Sequence, residues 1–203
     1  MKKQAATVAP PAGPNGLPPA ASIVLIAATA AVAYANSFGG DFVFDDLAAI
    51  PDNPTLLSWR TAFFPPSGGL TVSGRPRLNA SFALNHALHG LQPAGYHVFN
   101  LAIHLGAALL LFGLIRRTLG RQDSPVTLRV PVEGFATVAA LLWAVHPLQT
   151  EAVTYVVQRA ESLAGFFFLL TFYCFARAAD PERPEAATCW RWASVAACHL
   201  GLL

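Results

Sequence analysis

Apolar residues in this chain fall into long blocks separated by Arg-, Pro- and acid-containing breaks. The first block covers about 20–36 (AASIVLIAATAAVAYAN) and the second about 96–115, ending against Arg116-Arg117. A third runs over 135–146 and stops at His146-Pro147, where proline breaks a helical pattern. The fourth covers 162–178, and a fifth begins at 192 and reaches residue 203. A bilayer crossing takes about 20 mostly apolar residues, so these blocks predict a series of transmembrane helices. The fifth stops short of that length, which predicts a truncated sequence. Ala33-Tyr34-Ala35 also fits a signal-peptide cleavage pattern. The long proline-rich segment before the first block and the further blocks after it favour a retained span.

The stretches between blocks are of two kinds. Residues 1–19 hold five prolines and little hydrophobicity, which predicts a disordered tail. Residues 37–95 carry the Gly, Pro and Asp punctuation of an ordered loop. Within it Ser81–His89 (SFALNHALH) repeats apolar residues at helical spacing, as a short amphipathic helix along a membrane surface does. Residues 147–161 look helical but are too polar for lipid. The expected fold is therefore all-α: a polytopic helix bundle with extramembrane loops at 37–95 and 147–161.

Composition supports this reading. Only 12% of residues are charged and the mean hydropathy is +0.46, whereas a soluble domain has about 25% charged residues. A formal net charge of +2 is too small for nucleic-acid binding. Lys2, Lys3, Arg116, Arg117, Arg121, Arg129, Arg177, Arg183 and Arg191 all fall on one side if the N-terminus is cytoplasmic. Arg60, Arg75, Arg77 and Arg159 fall on the other. This orientation places both loops outside the cytoplasm. Cys174, Cys189 and Cys198 lack metal or redox spacing and read as small, buried apolar residues.

Two clusters carry candidate chemistry. In Asp41-Phe42-Val43-Phe44-Asp45-Asp46, the apolar residues are expected to hold Asp45 and Asp46 near the bilayer, partly desolvated. Adjacent like charges raise each other's pKa, which suits a general base or a divalent-cation site at Asp45/Asp46. A solvated loop start is the plainer alternative. The second cluster is His146, Glu151, Tyr155, Arg159 and Glu161. Glu151, Tyr155 and Arg159 are spaced four apart, so one helix face would display them, towards a water-filled cavity or a protein contact. An exposed interfacial helix is the alternative there. Arg159 is a natural partner for phosphate. His86/His89 and His97/His104 lack a zinc-binding constellation and are expected to hydrogen-bond within the bundle. Asn79-Ala80-Ser81 matches a glycosylation acceptor, while proline disqualifies Asn53-Pro54-Thr55.

Three motifs in order extend this picture: FVFDDLAAIPDN (Phe42–Asn53), GRPRLNASFALNHALHGLQPAGYHVFNLAIH (Gly74–His104) and HPLQTEAVTYVVQRAE (His146–Glu161). In these the chain resembles the transmembrane-and-tetratricopeptide-repeat O-mannosyltransferases and their bacterial relatives, of the GT-C class. The resemblance covers about 40–161. It implies a multi-pass enzyme of a bacterial inner membrane or, in a eukaryote, the endoplasmic reticulum. Such an enzyme moves a sugar from a polyprenyl-phosphate donor to a protein or other hydroxyl acceptor outside the cytoplasm, with inversion. By that analogy Asp45 or Asp46 would deprotonate the acceptor. Arg75 and Arg159, assigned from charge and position, would steady the leaving phosphate, with His146, Glu151 and Glu161 around the same cavity. Arg77 departs from the more usual uncharged residue after the Arg-Pro pair. The tetratricopeptide array is absent and the bundle incomplete, so a piece of this length is expected to be inactive alone. Two other readings compete: a non-catalytic membrane anchor for a repeat domain, and a transporter using Asp45, Glu151 and Glu161.

Overall fold

Every regular element among the described residues of the computed structural model is helical. Those residues are 17–121, 124, 128, 130–180 and 184–202. All but the last three residues of the expected 1–19 tail, together with Arg129 and Arg183, lie outside them. The α-helices in chain order are α1 (Pro19–Ala33), α2 (Asp45–Ala49), α3 (Trp59–Ala62), α4 (Pro76–His89), α5 (Pro93–Leu119), α6 (Val132–Ala144), α7 (Thr150–Thr154), α8 (Arg159–Ala178) and α9 (Ala187–Gly201). Among the described residues, two helical stretches are long and apolar enough to cross a membrane by length and composition: Pro93–Leu119, with 27 residues, and Val156–Ala178, with 23. α1 and α6 are apolar but shorter, at 15 and 13 residues.

α5 and α8 run side by side in the same direction, and glycine sets how closely. A Cβ on Gly106 would lie 2.8 Å from the Phe166 ring, and one on Gly113 would lie 2.9 Å from Tyr173. Both pairs repeat after seven residues on both helices, the period of a coiled-coil seam. Small residues of this kind let membrane helices approach. α1 lies along α6, joined by Thr137 Oγ1 donating to Ser22 Oγ at 2.9 Å. α6 ends just before His146-Pro147, and its terminal carbonyl at Ala144 does not go unsatisfied. Tyr34 Oη donates to it at 3.1 Å, and His104 Nε2 lies 2.8 Å away. The His104 ring stacks on Trp143 at 4.8 Å. α9 folds back on α8, with Ser194 Oγ donating to the Thr171 carbonyl at 3.0 Å. Of the three cysteines only Cys174 is buried; Cys189 and Cys198 face outward, because α9 packs on one side only.

The segment between α1 and α5 has its own apolar core. Ile50, Leu56, Val72, Leu78 and Phe82 pack with Tyr96 of α5 and with Val156 and Val157. α4 begins five residues before the expected Ser81 and does not simply lie on a surface, since Leu78, Asn79, Phe82 and Ala83 are buried. Asn79 is fully enclosed: its Nδ2 donates to Thr55 Oγ1 and the Ala62 carbonyl, and its Oδ1 accepts from Asn53 Nδ2. A side-chain amide spent in this way inside a helix is no glycan acceptor, so that expectation is corrected.

Candidate active site

The chain turns sharply before α2. The Asp46 N–H donates to the Val43 carbonyl at 2.9 Å, and Phe44, at the first corner, has φ 47°. It is the only non-glycine residue with positive φ among the described residues. A side chain in that region costs of order 1–3 kcal/mol. Nor does burial compensate, since Phe44 is 85% exposed. The turn separates two consecutive carboxylates: Asp45 is exposed, while Asp46 is 1% exposed.

Asp46 is held by backbone donors. Its Oδ1 accepts from Val157 N at 2.7 Å and its Oδ2 from Val43 N at 3.2 Å. Val157 lies in the short 3-10 turn Val156–Gln158 that leads into α8, where the first N–H groups have no partner within the helix and attract anions. Burial pushes the Asp46 carboxyl above the ordinary carboxylate range. The Val43 and Val157 N–H groups and the nearby His97 pull it back in part. Burial, rather than the charge on Asp45, is thus the cause of the raised value.

The second loop meets the first directly. Asp45 N donates to Tyr155 Oη at 3.1 Å. Burial raises the Tyr155 phenol; the Asp45 N–H opposes this, and the charges of Asp45, Asp46 and Glu151 add to it. The charges of three carboxylates thus act on one phenol. The expected continuous stripe of Glu151, Tyr155 and Arg159 is not formed. Tyr155 takes an extended conformation (φ −96°, ψ 114°) between α7 and the 3-10 turn, and this rotates Arg159 away from Glu151.

Arg159 is fully buried rather than facing an opening. Nε donates to Asn100 Oδ1 at 2.7 Å, Nη1 to the Ser81 carbonyl at 3.2 Å, and Nη2 to the Tyr96 carbonyl at 3.2 Å. Its guanidinium carbon lies 4.6 Å from the centre of the Phe82 ring and 5.3 Å from that of Phe99. The side chain thus ties α4 and α5 to the start of α8. Asn100 completes the tie, its Nδ2 donating to the Val156 carbonyl at 3.2 Å.

Glu161, two residues on, is about 200° around the helix and exposed. Glu151 is also exposed. His146 is exposed, and its Nδ1 accepts from Leu148 N at 3.2 Å, capping the turn Pro147–Gln149. Arg75 is half-buried before α4, with Nη1 donating to the Thr71 carbonyl at 3.3 Å. Among the described residues no hydrogen bond or ion pair joins Arg75, His146 or Glu161 to the aspartates. They contain no group of three or more His, Cys, Asp or Glu side chains placed to hold a metal ion. Reading from the sequence missed the importance of Phe44 and Asn100. Asn100 left a signal, a lone amide inside an apolar run; Phe44 left none.

Among the described residues, two long apolar helices fit an integral membrane protein. More particularly, the homologues that match most of the chain's length, at about 35% identity, are TMTC protein O-mannosyl-transferases. The chain is 36% identical over 190 residues to human Protein O-mannosyl-transferase TMTC4, a match covering 86% of the chain and 26% of that protein. It is 35% identical over 170 residues to mouse Protein O-mannosyl-transferase TMTC3, covering 79% of the chain and 17% of the relative. Against mouse Protein O-mannosyl-transferase TMTC1 the identity is 37% over 178 residues, 81% of the chain and 18% of the relative. The chain thus spans about a quarter or less of the length of these curated relatives. No family model and no solved structure matches it.

Proposed function

We propose that the chain carries the acceptor-activating site of a GT-C-type glycosyltransferase. The enzyme transfers mannose or another hexose from a polyprenyl-phosphate donor to a hydroxyl on a protein or other acceptor. In this reading the N-terminus is cytoplasmic, the five apolar blocks cross the bilayer, and the segments 37–95 and 147–161 lie outside the cytoplasm. The observation that carries the proposal is the division of the acidic pair. Asp46 is locked to the start of α8, which leaves Asp45 exposed beside Tyr155.

Asp45 then takes the proton of the acceptor hydroxyl. The freed oxygen attacks the anomeric carbon from the side opposite the phosphate, and the breaking bond leaves its electron pair on a phosphate oxygen, giving inversion. Tyr155 Oη accepts from Asp45 N, so its own proton remains available for an incoming oxygen. Charge on the departing phosphate is met by Arg75 and His146, while Glu151 and Glu161, both exposed, lie on the acceptor side. Arg159 contributes fixed positive charge from behind, through its buried position, rather than by contact.

The test is sugar transfer by the full-length protein in proteoliposomes. A polyprenyl-phosphate mannose supplied with a serine- and threonine-containing peptide should support transfer, and a nucleotide sugar alone should not. Absence of transfer from the lipid-linked donor, or equal transfer from the nucleotide sugar, would contradict the proposal.

A further inference from the structure

The buried amide of Asn79 shapes the surface beside it. By holding Thr55 Oγ1 and the Ala62 carbonyl, it pins the turn Pro54–Leu57 and α3 against α4. Thr61 Oγ1 donates to the Thr55 carbonyl at 2.9 Å and ties the two short elements to each other. Ala83, His86 and Ala87 stand one and two turns further along the same face of α4. The two alanines are too small to fill the gap beyond the amide. It remains as a pocket of about 420 Å³, within the size range of small-ligand sites. Leu56, Trp59 and the alanines form its apolar wall, while Ser58, Arg60 and His86 bring polar atoms to it.

Positive charge in this pocket is unopposed. Residues 53–95 contain Arg60, Arg75, Arg77, His86 and His89 but no Asp or Glu, and no carboxylate lines the pocket. Among the described residues, neither the exposed Arg60 guanidinium nor the His86 ring has a hydrogen-bond or ion-pair partner. We propose that the pocket seats an acidic side chain of a polypeptide. The carboxylate accepts from Arg60, and the methylene groups behind it lie on Trp59 and Ala87. Charge complementarity favours the carboxylate. None of the lining comes from α5 or α8, the helices long enough to meet lipid, so no apolar groove leads from the pocket to an acyl chain. The walls are fixed before binding, which spares a ligand the cost of ordering them. That the polypeptide is the sugar acceptor rests on the function proposed above; the selection of an acid does not.

The test is peptide binding, read separately from sugar transfer. Fluorescein-labelled threonine peptides carrying a single glutamate, and counterparts with glutamine in its place, are titrated by anisotropy against the full-length protein in dioleoylphosphatidylcholine nanodiscs. The glutamate is walked along each side of the threonine. At its best position the glutamate peptide should bind about tenfold tighter than its glutamine counterpart, as for one charge-assisted hydrogen bond. Arg60→Gln should abolish that preference and leave the glutamine peptide unchanged. Ala87→Leu fills the pocket from an exposed helical position, and should weaken the glutamate peptide about tenfold even if Arg60→Gln fails to fold. In sugar transfer both variants should raise KM for the glutamate peptide and leave kcat unchanged. No preference for glutamate at any position, or an undiminished preference in either folded variant, would overturn the proposal. Displacement of the peptide by equimolar dihexanoylphosphatidylglycerol would assign the pocket to a lipid head group and overturn it equally. A glutamate preference that both variants lose, without sugar transfer by the wild type, would uphold the pocket and count against the transferase alone.

Discussion

Asp45 and Asp46 are neighbours in sequence and opposites in environment. Replacing Asp46 with Ala would leave the buried Val157 N–H without an acceptor, at a cost of about 1–3 kcal/mol. Asn keeps one carbonyl oxygen for that bond and should cost less. Thermal unfolding in detergent measures both. The same carboxyl sets a pH dependence. Its folded-state value lies above the ordinary one, so the unfolded chain releases this proton first. Stability is then greatest below about pH 3.9, falls as pH rises through the folded-state value, and is flat above it. Asp46→Asn should remove that slope from a plot of unfolding temperature against pH. Phe44 gives a separate test. Gly at this position should be tolerated, because the turn needs positive φ and the ring is largely exposed. Phe44→Val should cost about 1–2 kcal/mol in the same assay, since a β-branched residue fits this region poorly.

At the scale of elements, the glycine seam between α5 and α8 makes a prediction about spacing. Gly113→Leu drives a side chain into Tyr173 and should cost about 1–3 kcal/mol by overpacking. Gly134→Ala and Gly165→Ala meet nothing within 4 Å and should stabilise their helices by about 0.5–1 kcal/mol. Thermal unfolding of the three variants side by side separates a seam from a general intolerance of side chains. The apolar blocks at 96–115 and 162–178 announced helices because they are long and nearly uninterrupted. The break at Tyr155 could not be read in the same way, as no proline or glycine marks it. It follows from tertiary contacts: Asp46 takes the Val157 N–H and Asn100 takes the Val156 carbonyl, partners 111 and 56 residues away.

Across the whole molecule, Arg159 joins the loop domain to the bundle through Ser81, Tyr96 and Asn100. Its charge was legible in the sequence, but its enclosure was not, since every partner comes from a distant segment. Lys has no planar fork to replace it. Arg159→Lys should therefore lower stability by about 1–3 kcal/mol and expose residues 37–92 to limited proteolysis before the helices. The three ordered motifs were legible as a family resemblance, and the similarity to TMTC relatives over 79–86% of the chain agrees with them. The division of labour between the aspartates was not legible, because adjacent letters carry no burial. The most direct measurement is sugar transfer by the full-length protein carrying Asp45→Asn or Asp46→Asn, read beside the unfolding temperature of each. Asp45→Asn should lower kcat by about 100-fold or more with stability unchanged, whereas Asp46→Asn should shift unfolding and lose activity with it. Wild-type turnover in Asp45→Asn would contradict the account, and wild-type turnover in both would leave a membrane anchor in its place.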